Sequence, residues 1–171
     1  KTKTRIEVLP TGIDWEEIKQ PTSYDLRQRY QLPADSTLLL YVGRIGVEKN
    51  LQLAIQALGH ILPKAPNTYL VLAGPGSSIE VAKFRTLATK HGAEDNLIFT
   101  GILNRSEVMG AFASSNIFVF PSIADTQGLV INEACAQSKP IVFVDDKISS
   151  LTRNNTNGFH SKNNPRDFAA K

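Results

Sequence analysis

The feature that most constrains the fold is a regular alternation of short apolar runs with longer segments of helical period. The apolar runs cover residues 38–42, 69–73, 97–100, 117–120 and 141–144. The helical segments between them cover residues 50–62, 79–91, 106–114 and 129–137. Strands that are apolar almost throughout are covered on both faces, and strict strand–helix alternation implies right-handed crossovers. The sequence therefore predicts an α/β domain, a doubly wound parallel sheet of about six strands with helices on both faces.

The ends of the sequence add shorter elements. Residues 5–14 are interpreted as a short strand and residues 27–32 as a short helix. Pro165 suits the first position of a final helix. The sequence starts at Lys1 without an initiator methionine and stops just after that helix begins. We therefore expect residues 1–171 to be one domain of a longer, two-domain protein.

Composition excludes several classes of protein. Hydrophobic residues make up 42% and charged residues 20% of the chain, as in an ordinary globular domain. A net charge of +3 is compatible with an anionic small-molecule ligand but too weak to indicate nucleic-acid binding. No run reaches the length of a transmembrane helix, and no signal peptide precedes the first strand. The single cysteine, Cys135, excludes an internal disulfide and suits a reducing compartment, so we expect a cytoplasmic protein.

The ends of the predicted strands carry the candidate site residues, because such sheets bind ligands beyond the carboxyl ends of their strands. After the first core strand, Gly43 permits a tight turn, and Arg44 and Lys49 flank the start of a helix. Two cations at a helix N-terminus favour an anion such as phosphate. The alternative is a solvated loop in which these cations pair with Glu48 or with other surface acids.

The next two strand ends are glycine turns. Gly74 and Gly76 follow the second strand and allow the backbone to approach a ligand closely, although they do not complete a dinucleotide fingerprint. Plain turn chemistry is the alternative there. Ile102 follows the third strand, and Asn104 or Ser106 could cap the helix after it.

The loop after the fourth strand is the richest in polar groups. It carries Asp125 and leads into a helix that starts near Leu129, with Glu133 one turn further on among apolar neighbours. A carboxylate this close to an apolar helix face usually accepts hydrogen bonds. Two interpretations remain open for Glu133, a contact with a ligand or a local interaction at the helix N-terminus. The three histidines show no metal-ligand spacing: His60, His91 and His160.

Taken in order, these segments resemble the carboxyl-terminal, donor-nucleotide-binding domain of retaining GT-B glycosyltransferases of group 1 (family four), which is Rossmann-like. Singly the motifs are weak, and their joint occurrence along nearly the whole chain is specific. The matching segments are Pro10-Thr11-Gly12-Ile13-Asp14, Tyr41-Val42-Gly43-Arg44, Glu48-Lys49-Asn50, Leu72-Ala73-Gly74-Pro75-Gly76, Ile98-Phe99-Thr100-Gly101, Ile117-Phe118-Val119-Phe120-Pro121-Ser122, residues 125–133, Pro140-Ile141-Val142 and Asn157-Gly158-Phe159.

The resemblance implies a role for each candidate residue toward a nucleoside diphosphate sugar. Arg44 and Lys49 would hold the donor diphosphate beside the glycine turns at Gly43 and Gly74, without a divalent metal. The remaining roles concern the other parts of the donor: the backbone near Ile102 would meet the nucleobase, Glu133 would bind the ribose hydroxyls, and Asp125 with the amides of Gln127, Gly128 and Leu129 would face the sugar and its phosphates.

The resemblance also implies an activity. The full-length protein would be a retaining hexosyltransferase that uses a UDP-hexose, with a lipid or saccharide acceptor held mainly by an amino-terminal domain. Residues 125–128 are similar to those of members that glycosylate membrane lipids such as diacylglycerol. This is compatible with peripheral association of the full-length enzyme with the inner face of the membrane. We expect this chain alone to be inactive.

Three departures from the family pattern and several alternatives accompany this interpretation. Asp125 stands where glutamate is usual, Ser138 stands where a small glycine often precedes the next proline, and residues 145–150 replace a glycine-rich loop.

The alternatives are a nucleotide-binding module without activity of its own, a GT-B-like epimerase or phosphorylase, and a dehydrogenase. The incomplete glycine fingerprint disfavours the dehydrogenase.

Overall fold

The structure is a computed structural model that describes residues 7, 11–20, 22–123, 125, 128–145, 147 and 156–171. The strands within these residues are β1 (Thr37–Val42), β2 (Thr68–Ala73), β3 (Leu97–Gly101), β4 (Ile117–Phe120), β5 (Ile141–Phe143) and β6 (Gly158–His160). The helices are α1 (Trp15–Ile18), α2 (Leu26–Tyr30), α3 (Leu51–Ile61), α4 (Ser78–Lys90), α5 (Arg105–Ser114), α6 (Leu129–Ala136) and α7 (Pro165–Ala169). A 3₁₀ turn, Val47–Lys49, precedes α3.

All six strands form one parallel sheet in the order β3-β2-β1-β4-β5-β6, which confirms the predicted fold class. The chain winds outward from β1 to β3, returns to the middle, and then winds outward in the other direction from β4 to β6. The neighbouring strands β1 and β4 are therefore followed by connections that leave the sheet in opposite directions. Ligands of doubly wound domains bind in the crevice that opens at this switch point.

Apolar side chains cover both faces of the sheet. In β1, Leu39 and Tyr41 belong to the core under α3, α4 and α7, while Leu38 and Leu40 belong to the core under α1, α2, α5 and α6. The alternation follows from the two-residue period of a strand. Helices therefore lie on both faces, as predicted.

The predicted core strands and the four longer helices match the observed elements to within one residue at each end. Two shorter predictions fare differently. The helix predicted over 27–32 is α2, shifted toward its start. Of the strand predicted over 5–14, only residues 7 and 11–14 are described, and these are not in a strand. The sixth strand among the described residues is β6, at the far edge of the sheet.

Helix starts fall into two classes. Five helices begin with a side chain that accepts a hydrogen bond from the first turn, and these capping residues are Asp14, Asp25, Ser77, Asn104 and Asn164. Helix α6 instead follows Gly128, which has a left-handed backbone (φ 57°), and α3 follows Asn50; neither has a side-chain cap among the described residues. The first amides of an uncapped helix keep unused hydrogen-bonding capacity.

The glycine turns after β1 and β2 are in direct contact with each other. Parallel pairing continues past the strand ends, because Gly43 N–H donates to the Ala73 carbonyl at 2.9 Å and Ile45 N–H donates to the Pro75 carbonyl at 2.7 Å. Gly74 has φ +142°, and a Cβ atom at this position would overlap the carbonyl oxygen of Gly43. The close approach of the two turns therefore requires glycine at position 74.

Candidate functional site

An open crevice lies at the carboxyl ends of β1 and β4, where the topology predicts a ligand site. It has a volume of about 370 Å³. Residues from both strand ends and from the start of α6 line it: Tyr41, Val42, Gly43, Arg44, Lys49, Phe120, Asp125, Gly128, Leu129 and Val130. Six of the residues singled out from sequence thus share one cavity, since Gly43, Arg44, Lys49, Asp125, Gly128 and Leu129 are all in its lining.

An ion pair between Lys49 and Asp125 joins the two sides of the crevice. The Lys49 ammonium donates to Oδ2 of Asp125 at 2.6 Å, and both side chains are only 19% exposed. A charged pair this sheltered from water is screened much less than a surface pair. The crevice therefore presents a fixed positive charge on its β1 side and a fixed carboxylate on its β4 side.

Arg44 lies at the mouth of the same crevice in a more open position. Its Nε is 3.1 Å from Oε1 of Glu48, and its side chain is 69% exposed. The alternative interpretation from sequence, a surface pair with Glu48, therefore holds for Arg44 in this structure. An exposed pair of this kind contributes little to stability, so the guanidinium is available to another anion at small cost.

Tyr41 packs against the glycine turn that follows β1. Its buried hydroxyl donates to the Arg44 carbonyl at 3.1 Å. Burial, reinforced by the negative charges of Asp125 and Glu48, raises the pKa of the Tyr41 hydroxyl well above its ordinary value. The hydroxyl therefore stays protonated and holds the loop that carries Arg44.

The start of α6, which has no side-chain cap among the described residues, lies at the crevice, and Gly128 and Leu129 are both in its lining. The partial positive charge of a helix N-terminus and its unused N–H groups favour an anion. One predicted site position beside this start, the Gln127 amide, lies outside the described residues.

Glu133 contacts a residue that the sequence did not single out, Arg105 at the start of α5. One nitrogen of the Arg105 guanidinium donates to Oε1 of Glu133 at 2.5 Å, and its Nε donates to Oε2 of Glu17 on α1 at 2.9 Å. Burial alone would lower the pKa of Arg105, but the hydrogen bonds to Glu133 and Glu17 raise it above its ordinary value. In this structure Glu133 therefore makes a tertiary ion pair, and its contact with a ligand stays a prediction.

Two predicted site residues lie at the neighbouring strand ends. Gly74, after β2, packs against the carbonyl of Gly43. Ile102, after β3, is a largely exposed apolar side chain in the loop before α5. Both stand on the same edge of the sheet as the crevice, on the side toward β3.

Asn50 links the loop that follows β1 to the loop that follows β4. This buried side chain donates to the Pro121 carbonyl and to Oδ1 of Asn163, both at 2.9 Å, and accepts a bond from Gln52. Its backbone is left-handed, with φ 55°. Asparagine is one of the few residues that tolerates this conformation while offering an amide, so position 50 combines both requirements.

Changing Asn50 to glycine is expected to lower the free energy of unfolding by about 1–2 kcal/mol, because the left-handed backbone is kept while three hydrogen bonds are lost. Changing it to alanine should cost about 1 kcal/mol more, since alanine also pays for the left-handed conformation. Urea denaturation monitored by circular dichroism measures both. A glycine variant as stable as the parent would show that the side-chain bonds contribute nothing.

No group of three or more His, Cys, Asp or Glu side chains suited to a metal ion occurs among the residues that the structure describes. None of the described helices is long and apolar enough to span a membrane.

Sequence comparison relates this chain to known proteins. The sequence profile of the family described as "Glycosyl transferases group 1" matches residues 23–171. The chain is 31% identical over 147 residues to the alpha-monoglucosyldiacylglycerol synthase of Streptococcus pneumoniae, which covers 83% of this chain and 33% of that protein. The chain therefore spans about a third of the length of this relative.

Solved structures share the fold. The chain resembles HepE of Anabaena, crystallised with UDP and glucose, with a TM-score of 0.81 at 23% identity over 93% of this chain and 44% of that one. It also resembles the C-terminal domain of the group 1 protein LpcC of Francisella tularensis, with a TM-score of 0.76 at 20% identity over 93% of this chain and 85% of that one. From the profile match and these likenesses together, the chain belongs to the group 1 family of glycosyl transferases.

Proposed function

We propose that this chain binds the nucleoside diphosphate part of a UDP-hexose and serves as the donor half of a retaining glycosyltransferase. The observation that carries the proposal is the crevice between β1 and β4, where Lys49 and the uncapped start of α6 line one cavity. A concave site that combines a sheltered ammonium with the start of a helix that has no side-chain cap among the described residues suits a diphosphate.

Diphosphate binding would rearrange the ion pair that now spans the crevice. Lys49 is neutralised by Asp125, so a phosphate oxygen must share or replace that carboxylate. Arg44, held only by an exposed pair with Glu48, would swing onto the same phosphates. The helix start at Gly128 would add backbone N–H donors without adding a competing negative charge.

In the transfer step, the bond from the anomeric carbon to the diphosphate oxygen breaks and its electron pair stays on the diphosphate. The anomeric carbon forms a new bond to the acceptor oxygen, and the proton of the acceptor hydroxyl passes to the departing diphosphate oxygen. Lys49 and the α6 amides would stabilise the charge that develops on the leaving diphosphate, with no divalent metal required. Asp125 would then face the hexose.

The nucleoside would extend along the sheet edge toward β3. Glu133, paired with Arg105, would accept hydrogen bonds from the ribose hydroxyls, and the backbone near the exposed Ile102 would meet the uracil base. HepE, solved with UDP and glucose, supports a uridine nucleotide and a hexose for this chain.

The name of the pneumococcal relative supports a lipid acceptor such as a glycosylated diacylglycerol, with a saccharide as the alternative. In the full-length protein the acceptor would lie mainly against a second, amino-terminal domain. We place the enzyme in the cytoplasm, at the inner face of the membrane, where UDP-sugars and lipid acceptors meet. Residues 1–171 alone would then bind the donor without completing the transfer.

Calorimetric titration of this chain with UDP is expected to show one binding site per chain, with the same affinity in the presence of a chelator or of magnesium. Uridine, which lacks the diphosphate, should bind far more weakly because Lys49 and the α6 start contact only phosphates. Loss of UDP binding on adding the chelator would refute the metal-free site. Equal binding of uridine and UDP would show that the crevice is not a diphosphate site.

A further inference from the structure

The side chain of Arg105 is in an unusual place for a cation. It is the first residue of α5, where the helix dipole disfavours positive charge. The helix is already capped by Asn104 and Glu107, so Arg105 is not needed for its start. Its position is explained by contacts with other elements, Glu133 on α6 and Glu17 on α1.

Glu133 depends on this cation. Its carboxylate is only 14% exposed and lies on a helix whose neighbours Ile131 and Ala134 are buried. Among the described residues, Arg105 is the one side chain that donates a hydrogen bond to it. A carboxylate held away from water needs such a hydrogen-bond partner, and the partner keeps it in one orientation.

The contact is made at one oxygen of the carboxylate. The bond from Arg105 reaches Oε1, which leaves Oε2 to accept from another donor. A guanidinium has its donors in a rigid planar fork, and here Glu17 occupies the Nε position of that fork. Glu17 therefore limits the rotation of Arg105, and Arg105 limits the rotation of Glu133.

We propose that Arg105, held by Glu17, is a positioning residue that fixes the Glu133 carboxylate for the ribose hydroxyls and thereby sets the preference of the site for ribose over 2′-deoxyribose. The inference rests on the proposed function, because it takes Glu133 as the ribose ligand. Arg105 itself need not touch the nucleotide.

The test compares UDP with 2′-deoxyuridine diphosphate on the parent chain and on two variants, Arg105→Ala and Arg105→Lys. In the parent, UDP should bind more tightly, because Glu133 accepts from both ribose hydroxyls. Arg105→Ala should weaken UDP binding by about tenfold and 2′-deoxyuridine diphosphate binding by about twofold, so the preference shrinks. Arg105→Lys keeps the charge but loses the planar fork of donors. Its ribose preference should lie between those of the parent and of Arg105→Ala. Circular dichroism and the melting temperature check that each variant folds.

A double-mutant cycle separates positioning from a general loss of stability. In a Glu133→Gln background, Arg105→Ala should have no further effect on UDP affinity, because the group that it orients is gone. Glu17→Gln should reduce the ribose preference partly. A lowered melting temperature with the parent's ribose preference intact in both Arg105 variants would overturn the proposal. A parent chain that binds no UDP would overturn the proposed function and this inference together.

Discussion

Replacing Lys49 by alanine is expected to weaken UDP binding by about 100-fold, the largest effect of any single side chain in the crevice. The substitution removes a charge-assisted contact in a sheltered position. It also takes the ammonium 2.6 Å away from Asp125, so that the negative charge of this carboxylate is no longer offset by Lys49 when the phosphates approach. Both effects weaken UDP binding. Titration calorimetry at constant ionic strength measures the change.

Three matched variants isolate the origin of this loss. Arg44→Ala removes an exposed cation and should cost only about fivefold. Lys83→Ala removes an exposed lysine on α4 and should leave UDP affinity unchanged, which controls for net charge. Asp125→Asn should bind UDP at least as tightly as the parent, because Lys49 no longer has to leave a carboxylate. If Lys49→Ala binds UDP like the parent, the diphosphate does not lie in this crevice.

Replacing Gly74 by alanine is expected to lower the free energy of unfolding by about 3 kcal/mol. The backbone there has φ +142°, and the added Cβ atom would overlap the Gly43 carbonyl. Relief would require the turns after β1 and β2 to separate, which breaks pairing in the centre of the sheet. A fall in melting temperature of about 10 °C is expected for a domain of this size.

Gly92→Ala is the control for backbone conformation alone. Gly92 also has a positive φ, +65°, but a Cβ atom there meets nothing within 4 Å. Its substitution by alanine should lower the free energy of unfolding by about 1 kcal/mol. Equal losses at positions 74 and 92 would mean that the contact with Gly43 is unimportant.

The fold was predictable because each core strand is buried on both faces and therefore reads as an unbroken apolar run. β6 gave no such signal: its three residues, Gly158–His160, lie at a sheet edge and carry only one large apolar side chain. Pairing with β5 makes this segment a strand, and the local sequence does not show that pairing.

The location of the site was also predictable, because strand ends can be identified before the structure is known. The pairing of charged side chains within the site was not predictable. Lys49 and Asp125 are 76 residues apart, and Arg105 and Glu133 are 28 apart, so only the tertiary fold brings them together. One local signal for Arg105 was available in retrospect: a cation in the first turn of a helix conflicts with the dipole and indicates a distant partner.

The two classes of helix start have a consequence for any attempt to make this domain more stable. Introducing a capping side chain is a routine way to gain about 1 kcal/mol. At α6, however, a serine or aspartate in place of Gly128 would occupy the amides proposed for phosphate, and it would lose the left-handed geometry. The left-handed backbone at position 128 (φ 57°) favours glycine, so the strain of the substitution would offset the gain from the cap while donor affinity fell. The five helices that already have a capping side chain offer no comparable gain.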